Sequence, residues 1–183
     1  MIEVRFHGRG GQGAVTSAEL VAHAAIAEGR FAQSFPSFGP ERRGAPVVSF
    51  LRINDTKIRT RAEITSPDAV VLLDAGLIRI IDICAGLKES GFAILNSRLK
   101  PQDIETPFKL RGRIATVDAN TIAKEVLGLP ITNTTMLGAL IRVTGLVDFD
   151  SIVHPLNERF GRIAEKNLKA LKRAYDETTI WEA

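Results

Sequence analysis

The sequence predicts one α/β domain over residues 1–183, in which a largely parallel sheet carries an inserted β-hairpin and the last third is helical. Short apolar runs alternate with helical patterns, which is typical of a parallel sheet covered by helices. Two of these runs, 69–73 and 92–95, are continuously apolar, as in strands buried on both faces. The length suits a single domain.

The first half of the chain predicts strands around one long helix. Apolar and polar residues alternate over 2–7. Helical spacing of apolar residues begins at Ala14, and Gly29 stands where the C-cap glycine of this helix belongs. The pattern then predicts a short strand over 31–35. The predicted hairpin pairs 47–53 with 57–60.

The second half predicts more helix. Buried strands end at Asp74 and Asn96, and a third strand ends at Asp118. The remaining predictions are a helix over 77–85, a surface connection over 100–110, a helix over 121–127, a helix opening at 133–135, a helix capped by Asp150 that runs to about 160, and an amphipathic helix over 164–175.

Composition excludes several classes of function. The formal charge is only +3 and no basic run occurs, so nothing indicates nucleic-acid binding. Cys84 is the only cysteine, and the three histidines have no metal-ligand spacing, so we predict no metal site and no catalytic residue. Without a signal peptide or a spanning segment, we expect a cytoplasmic protein away from membranes.

The main candidate site is a glycine loop: Gly8, Arg9, Gly10, Gly11, Gln12 and Gly13. A glycine loop between a strand and a helix N-terminus suits an anion held on backbone N–H groups. Dinucleotide binding needs an acidic residue after the second strand, and residues 33–36 contain none. The alternatives are an anion site or a turn that only lets helix and strand pack closely.

Two other stretches are candidates. Arg42 and Arg43 lie in a proline- and glycine-rich loop, where they can clamp a phosphate or contact a partner chain. Asn133, Thr134 and Thr135 open a helix, either as its cap or as polar groups facing a ligand.

Together these stretches resemble a known family. Residues 5–13, 38–46, 133–139 and 166–170 are similar to the gamma subunit of 2-oxoacid:ferredoxin oxidoreductases, with the pyruvate enzyme (pyruvate synthase) the nearest kind. The resemblance implies a Rossmann-like or flavodoxin-like domain. It also implies a part in the reversible conversion of pyruvate, coenzyme A and oxidised ferredoxin to acetyl-CoA, CO₂ and reduced ferredoxin.

The resemblance also implies partners and a ligand. Alpha, beta and delta subunits would complete the enzyme, thiamine diphosphate and iron–sulfur clusters would sit on those subunits, and ferredoxin would react with the complex. Coenzyme A would bind at the subunit interface, at the loop Gly8 to Gly13, with Asn133 to Thr135. Arg42 and Arg43 would either assist this binding or lock the subunit interface. Three alternatives stay open: another 2-oxoacid (2-oxoisovalerate, 2-oxoglutarate or indolepyruvate), a purely structural assembly module, and a free-standing nucleotide-binding enzyme.

Overall fold

A computed structural model describes residues 1–37, 44–108, 110 and 112–181. Its strands are β1 (Ile2–Arg9), β2 (Phe31–Ser37), β3 (Pro46–Asn54), β4 (Ala69–Leu72), β5 (Phe92–Asn96), β6 (Arg113–Val117) and β7 (Thr179–Trp181). Its α-helices are α1 (Ala14–Ala27), α2 (Pro101–Phe108), α3 (Ala119–Leu127), α4 (Asn133–Thr144), α5 (Val153–Phe160) and α6 (Ala164–Glu177).

The strands form one mixed sheet in the order β2-β3-β1-β4-β5-β6-β7. Strands β1, β4, β5 and β6 pair in parallel, whereas β3 runs antiparallel to both β1 and β2, and β7 runs antiparallel to β6. Five of the seven strands in the described residues therefore point the same way. The predicted α/β class with a mostly parallel sheet and a helical last third is confirmed.

Two hydrophobic layers cover the sheet. On one face, Val4 and Phe6 of β1 pack with apolar residues of α1, α4 and α6. On the other face, Val70 and Leu72 of β4 pack with Ile104 of α2 and with residues 77–84. Alternate residues of a strand point to opposite faces, so the continuous apolar run of β4 supplies both layers.

The hairpin prediction is wrong in its pairing. Strand β3 pairs with β2, with Phe35 opposite Phe50 and their ring centroids 5.0 Å apart. Residues 57–60 form no strand. The contact between Phe35 and Phe50 makes β2 a better partner for β3 than a strand containing the exposed Lys57 and Arg59 would be.

The predicted helix over 77–85 is also wrong. Only a 3-10 turn forms, Ala75–Arg79, with the Asp74 carboxylate accepting from the Gly76 N–H at 2.8 Å. The carbonyls of Ile83 and Ala85 accept hydrogen bonds from the buried Arg5 guanidinium instead, at 3.1 and 2.6 Å. A continuous helix would turn such carbonyls toward its own N–H groups.

Two smaller predictions also fail, and one short strand was not predicted. Residues 101–108 are helical rather than a surface connection, because Pro101 occupies the first helical position, where its missing N–H costs nothing. Asp150 lies inside a 3-10 turn, Phe149–Ile152, and does not cap α5. The three-residue strand β7 was not predicted, since so short a run carries no recognisable period.

Candidate functional site

The carboxyl ends of the four strands that pair in parallel meet at one edge of the sheet. Gly8, Asp74, Asn96 and Asp118 lie there, one at each strand end. The Asn96 amide is buried and donates to the Leu73 carbonyl at 2.9 Å. This edge is where open α/β sheets bind their ligands.

Asp118 closes one end of this edge. Its carboxylate accepts from the Thr121 N–H at 3.0 Å, which caps α3, and from Arg98 at 2.9 Å. Partial burial opposes its ionisation, but the hydrogen bonds from Thr121 and the charge of Arg98 outweigh that effect and lower the pKa of Asp118. Asp118 is therefore occupied by its own helix cap and ion pair.

The glycine loop folds on itself through hydrogen bonds. The Arg9 N–H donates to the Gln12 side-chain oxygen at 2.6 Å, and the Gln12 N–H donates to the Arg9 carbonyl at 2.9 Å. Gly11 and Gly13 have φ of +94° and +82°, a conformation that side-chain-bearing residues rarely adopt. The glycines thus allow a closed turn directly ahead of α1.

Arg9 is the centre of the contacts around the loop. Its Nε donates to Asp74 Oδ2 at 3.0 Å and its Nη1 donates to the Gly44 carbonyl at 3.1 Å. These two bonds use two of the five guanidinium donors. The Gly10 N–H donates to the Ala45 carbonyl at 3.0 Å. Residues 44 and 45, which follow the double-arginine segment, are therefore fastened to the glycine loop.

The predicted residues Arg42 and Arg43 lie outside the residues that the structure describes. Their proposed role stays a prediction.

Helix α4 begins at Asn133, beside the glycine loop. A Cβ atom at Gly13 would lie 2.6 Å from Asn133 Nδ2, so the two residues are packed in direct contact. Thr134 and Thr135 have no exposed surface, and the Thr134 hydroxyl donates to Asn167 of α6 at 2.7 Å. The N-cap is Thr132 rather than any of these three residues.

The prediction that these side chains face a ligand therefore needs correction for Thr134 and Thr135. Both hydroxyls lie inside the protein, because α4 packs against the sheet and α6 from its first turn. Asn133 packs directly against Gly13, the last residue of the glycine loop, and thereby constrains the shape of the loop.

Two clefts lie on either side of the glycine loop. The α1 cleft, of about 300 Å³, is formed by Arg9, the loop glycines and the first turn of α1 at 14–16. The rim cleft, of about 310 Å³, is formed by Gln12, Asp74 and the segment 130–132 ahead of α4. Among the described residues that form the two clefts, Asp74 carries the only carboxylate, and it belongs to the rim cleft.

The electrostatics therefore favour an anion in the α1 cleft. The first intrahelical bond of α1 runs from the Ser17 N–H to the Gly13 carbonyl, so the N–H groups of residues 14–16 precede it. Within the described part of the chain, no side chain caps this end of α1, and the first turn of the helix holds no acidic residue. Backbone donors, the helix dipole and the nearby Arg9 all attract negative charge.

The sheet order argues against the dinucleotide interpretation of the loop. In a dinucleotide-binding unit, the helix after the glycine loop leads to a parallel strand beside the first one. Here α1 leads to β2 at the edge of the sheet, and the antiparallel β3 lies between β2 and β1. The strand order and the missing carboxylate after the second strand therefore both argue against dinucleotide binding.

Sequence reasoning missed the hydrogen-bonding role of Asp74 and the part of segment 130–132 in the rim cleft. Asp74 was visible as a polar strand end, but nothing in a linear pattern pairs it with Arg9, 65 positions away. No group of three or more potential ligands close enough to hold a metal ion occurs in the described part of the chain. No helix within the same ranges is long and apolar enough to cross a membrane.

Comparison with known proteins identifies the family. The model of the pyruvate ferredoxin/flavodoxin oxidoreductase family matches residues 3–177. The chain belongs to this family. It is 50% identical to the pyruvate/ketoisovalerate oxidoreductases common subunit gamma of Thermococcus litoralis, over 100% of both chains.

Two further relatives agree. Pyruvate synthase subunit PorC of Methanothermobacter thermautotrophicus is 50% identical, over 97% of this chain and 96% of that protein. The crystal structure of pyruvate oxidoreductase subunit PORC from Thermotoga maritima superposes with a TM-score of 0.88 at 36% identity, covering 99% of this chain and 98% of that one. The resemblance drawn from the motifs is confirmed: the chain is a gamma-type oxidoreductase subunit whose relatives work in multi-subunit enzymes.

Proposed function

We propose that this chain is the gamma subunit of a pyruvate synthase, which interconverts pyruvate, coenzyme A and oxidised ferredoxin with acetyl-CoA, CO₂ and reduced ferredoxin. The support is the full-length likeness to subunits that carry this name in other organisms. Alpha, beta and delta subunits complete the enzyme, and ferredoxin reacts with the complex. Thiamine diphosphate would be held by those subunits, as the family resemblance implies. The iron–sulfur clusters would belong there too, since one cysteine cannot ligate a cluster.

A second candidate substrate has its own support. The Thermococcus relative is named as a subunit common to pyruvate and ketoisovalerate oxidoreductases. A subunit shared by two enzymes does not select the 2-oxoacid, so the substrate pocket would lie on other chains. A panel of pyruvate, 2-oxoisovalerate, 2-oxoglutarate and indolepyruvate, assayed on the complex that copurifies with this chain, distinguishes the substrates.

Within the complex, we propose that this chain binds a phosphate of coenzyme A in the α1 cleft. The observation that carries the proposal is the uncapped N-terminus of α1, preceded by the glycine loop and free of acidic residues in its first turn. Backbone N–H groups of residues 14–16 would hold the phosphate, and Arg9 would add charge from the side. The cleft is open, so a partner subunit would cover the rest of the ligand.

The test is the substitution Arg9→Ala in the assembled enzyme. Loss of one charge-assisted hydrogen bond predicts that KM for coenzyme A rises about tenfold or more, with kcat and KM for the 2-oxoacid nearly unchanged. The matched control is Arg98→Ala, because Arg98 is also an arginine at this edge of the sheet paired with an aspartate. An unchanged KM for coenzyme A in a normally assembled Arg9→Ala enzyme would refute the site.

The same preparation tests the two remaining alternatives. The isolated chain should show no turnover, whereas a free-standing nucleotide-dependent enzyme would act alone. A purely structural module predicts that no variant of the loop changes KM for coenzyme A while the complex stays intact.

A further inference from the structure

Asp74 holds together the two long side chains of the glycine loop. Its Oδ2 accepts from Arg9 Nε at 3.0 Å and from Gln12 Nε2 at 2.9 Å, and its Oδ1 accepts from the Gly76 N–H at 2.8 Å. One carboxylate therefore ties the loop after β1 to the first turn after β4. The side chain of Asp74 is 22% exposed, which reduces the screening of this ion pair by water.

The contacts of Gln12 make this arrangement cooperative. The same side chain that donates to Asp74 accepts from the Arg9 N–H at 2.6 Å. Arg9, Gln12 and Asp74 thus form a closed ring of hydrogen bonds, and removing the carboxylate takes one hydrogen bond from each of the two long side chains at once. Arg9 also binds the Gly44 carbonyl, so the ring is continuous with the segment ahead of β3.

Asp74 itself stands apart from the anion site. It lines the rim cleft, whereas the α1 cleft is formed by Arg9, the loop glycines and the first turn of α1. A phosphate at α1 would meet Arg9 and the backbone rather than Asp74. Asp74 would therefore favour the binding of that phosphate only through Arg9, Gln12 and the conformation of the loop.

We propose that Asp74 is a positioning residue for coenzyme A, fixing the glycine loop and aiming Arg9 through its paired hydrogen bonds. This inference rests on the proposed coenzyme A site in the α1 cleft. It differs from a simple charge effect, because a carboxylate near a phosphate would by itself weaken binding. By that charge effect alone, removal of the carboxylate would lower KM for coenzyme A, whereas positioning predicts that this KM rises.

The experiment measures steady-state kinetics of the assembled enzyme with Asp74→Ala and Asp74→Asn. For Asp74→Ala we expect KM for coenzyme A to rise about tenfold, with kcat and KM for the 2-oxoacid unchanged. Asp74→Asn keeps one acceptor oxygen and should give a smaller rise. It also serves as the second variant if Asp74→Ala fails to assemble.

The matched control is Asp118→Ala. Asp118 is also an aspartate at a strand end that caps a helical turn and pairs with an arginine, so its loss carries a comparable structural cost. It lies away from the glycine loop, and we expect its KM for coenzyme A to stay at the wild-type value.

A double variant separates the possible outcomes. If Asp74 acts through Arg9, Asp74→Ala raises KM little further in an Arg9→Ala enzyme. A wild-type or lowered KM in both Asp74 variants, with a raised KM in Arg9→Ala, overturns the positioning role and leaves the coenzyme A site standing. Full multiplication of the two effects overturns the aiming of Arg9 by Asp74. Unchanged KM values in all variants, Arg9→Ala included, refute the proposed site itself.

Discussion

Substitution of Gly13 by alanine should disturb the contact between the glycine loop and α4. The new Cβ would lie 2.6 Å from Asn133 Nδ2 and 2.9 Å from Asn133 Cγ, closer than real Cβ contacts come. Overpacking of this kind costs about 1–3 kcal/mol. The φ of +82° adds about 1–2 kcal/mol of strain for any residue with a Cβ. We expect Gly13→Ala to lower the free energy of unfolding by about 2–5 kcal/mol.

Two further variants separate the strain from the overlap. In an Asn133→Ala background most of the overlapping atoms are gone, so Gly13→Ala should cost only about 1–2 kcal/mol. Gly11→Ala is the matched control, because Gly11 has a φ of +94° and a Cβ added there would meet no atom within 4 Å. It should also cost about 1–2 kcal/mol.

Urea denaturation of the full chain, followed by far-ultraviolet circular dichroism, measures these differences as a thermodynamic cycle. An equal cost of Gly13→Ala in the presence and absence of the Asn133 side chain would refute the reasoning. It would mean that the Cβ added at Gly13 does not overlap the Asn133 side chain.

Two other predictions concern stability. Burial, reinforced by the neighbouring Arg5 charge, lowers the pKa of His7 from 6.5 to about 4. The contribution of neutral His7 to the free energy of unfolding is therefore fully present above pH 6.5 and is lost as the pH falls toward 4. Urea denaturation of wild type and His7→Leu across this range should show that the free energy of unfolding falls by about 3 kcal/mol more in the wild type, and parallel pH profiles would contradict it. Gly138→Ala should destabilise the chain by at least about 3 kcal/mol in the same assay, because its Cβ would lie 2.0 Å from the Leu171 carbonyl oxygen of α6. Gly145→Ala, in open space at the end of α4, should cost about 1 kcal/mol, and equal losses for the two variants would show that α4 and α6 can move apart.

The local elements that were predicted correctly are those with a strong period and a clear end. Strand β1, helix α1 and the buried strands β4 and β5 carry alternating, helical or continuous apolar patterns that few other structures satisfy. The failed predictions concern segments whose shape depends on distant residues. The buried Arg5 binds carbonyls of residues 83 and 85, and Phe50 pairs with Phe35 rather than with the next short run.

The candidate site divides in the same way. The glycine loop was recognisable because closely spaced glycines between a strand pattern and a helical pattern are typical of a tight turn at a helix N-terminus. Thr134 and Thr135 were expected near a ligand because a helix opens there, but the packing of α4 against α6 buries both hydroxyls. Exposure depends on which helix packs against which, and a single helical pattern does not contain that information.

The sequence by itself determined the α/β class, the position of the glycine loop ahead of α1 and, through its motifs, the family. These follow from local periodicity, from the backbone freedom of glycine and from short motifs that can be recognised without knowledge of the tertiary structure. Only the tertiary structure decided that β3 lies between β1 and β2, and that Asp74 joins Arg9 and Gln12 in one ring of hydrogen bonds. Strand order and side-chain pairing arise from packing between segments far apart in the chain, where many pairings share the same local pattern and only the assembled core selects one.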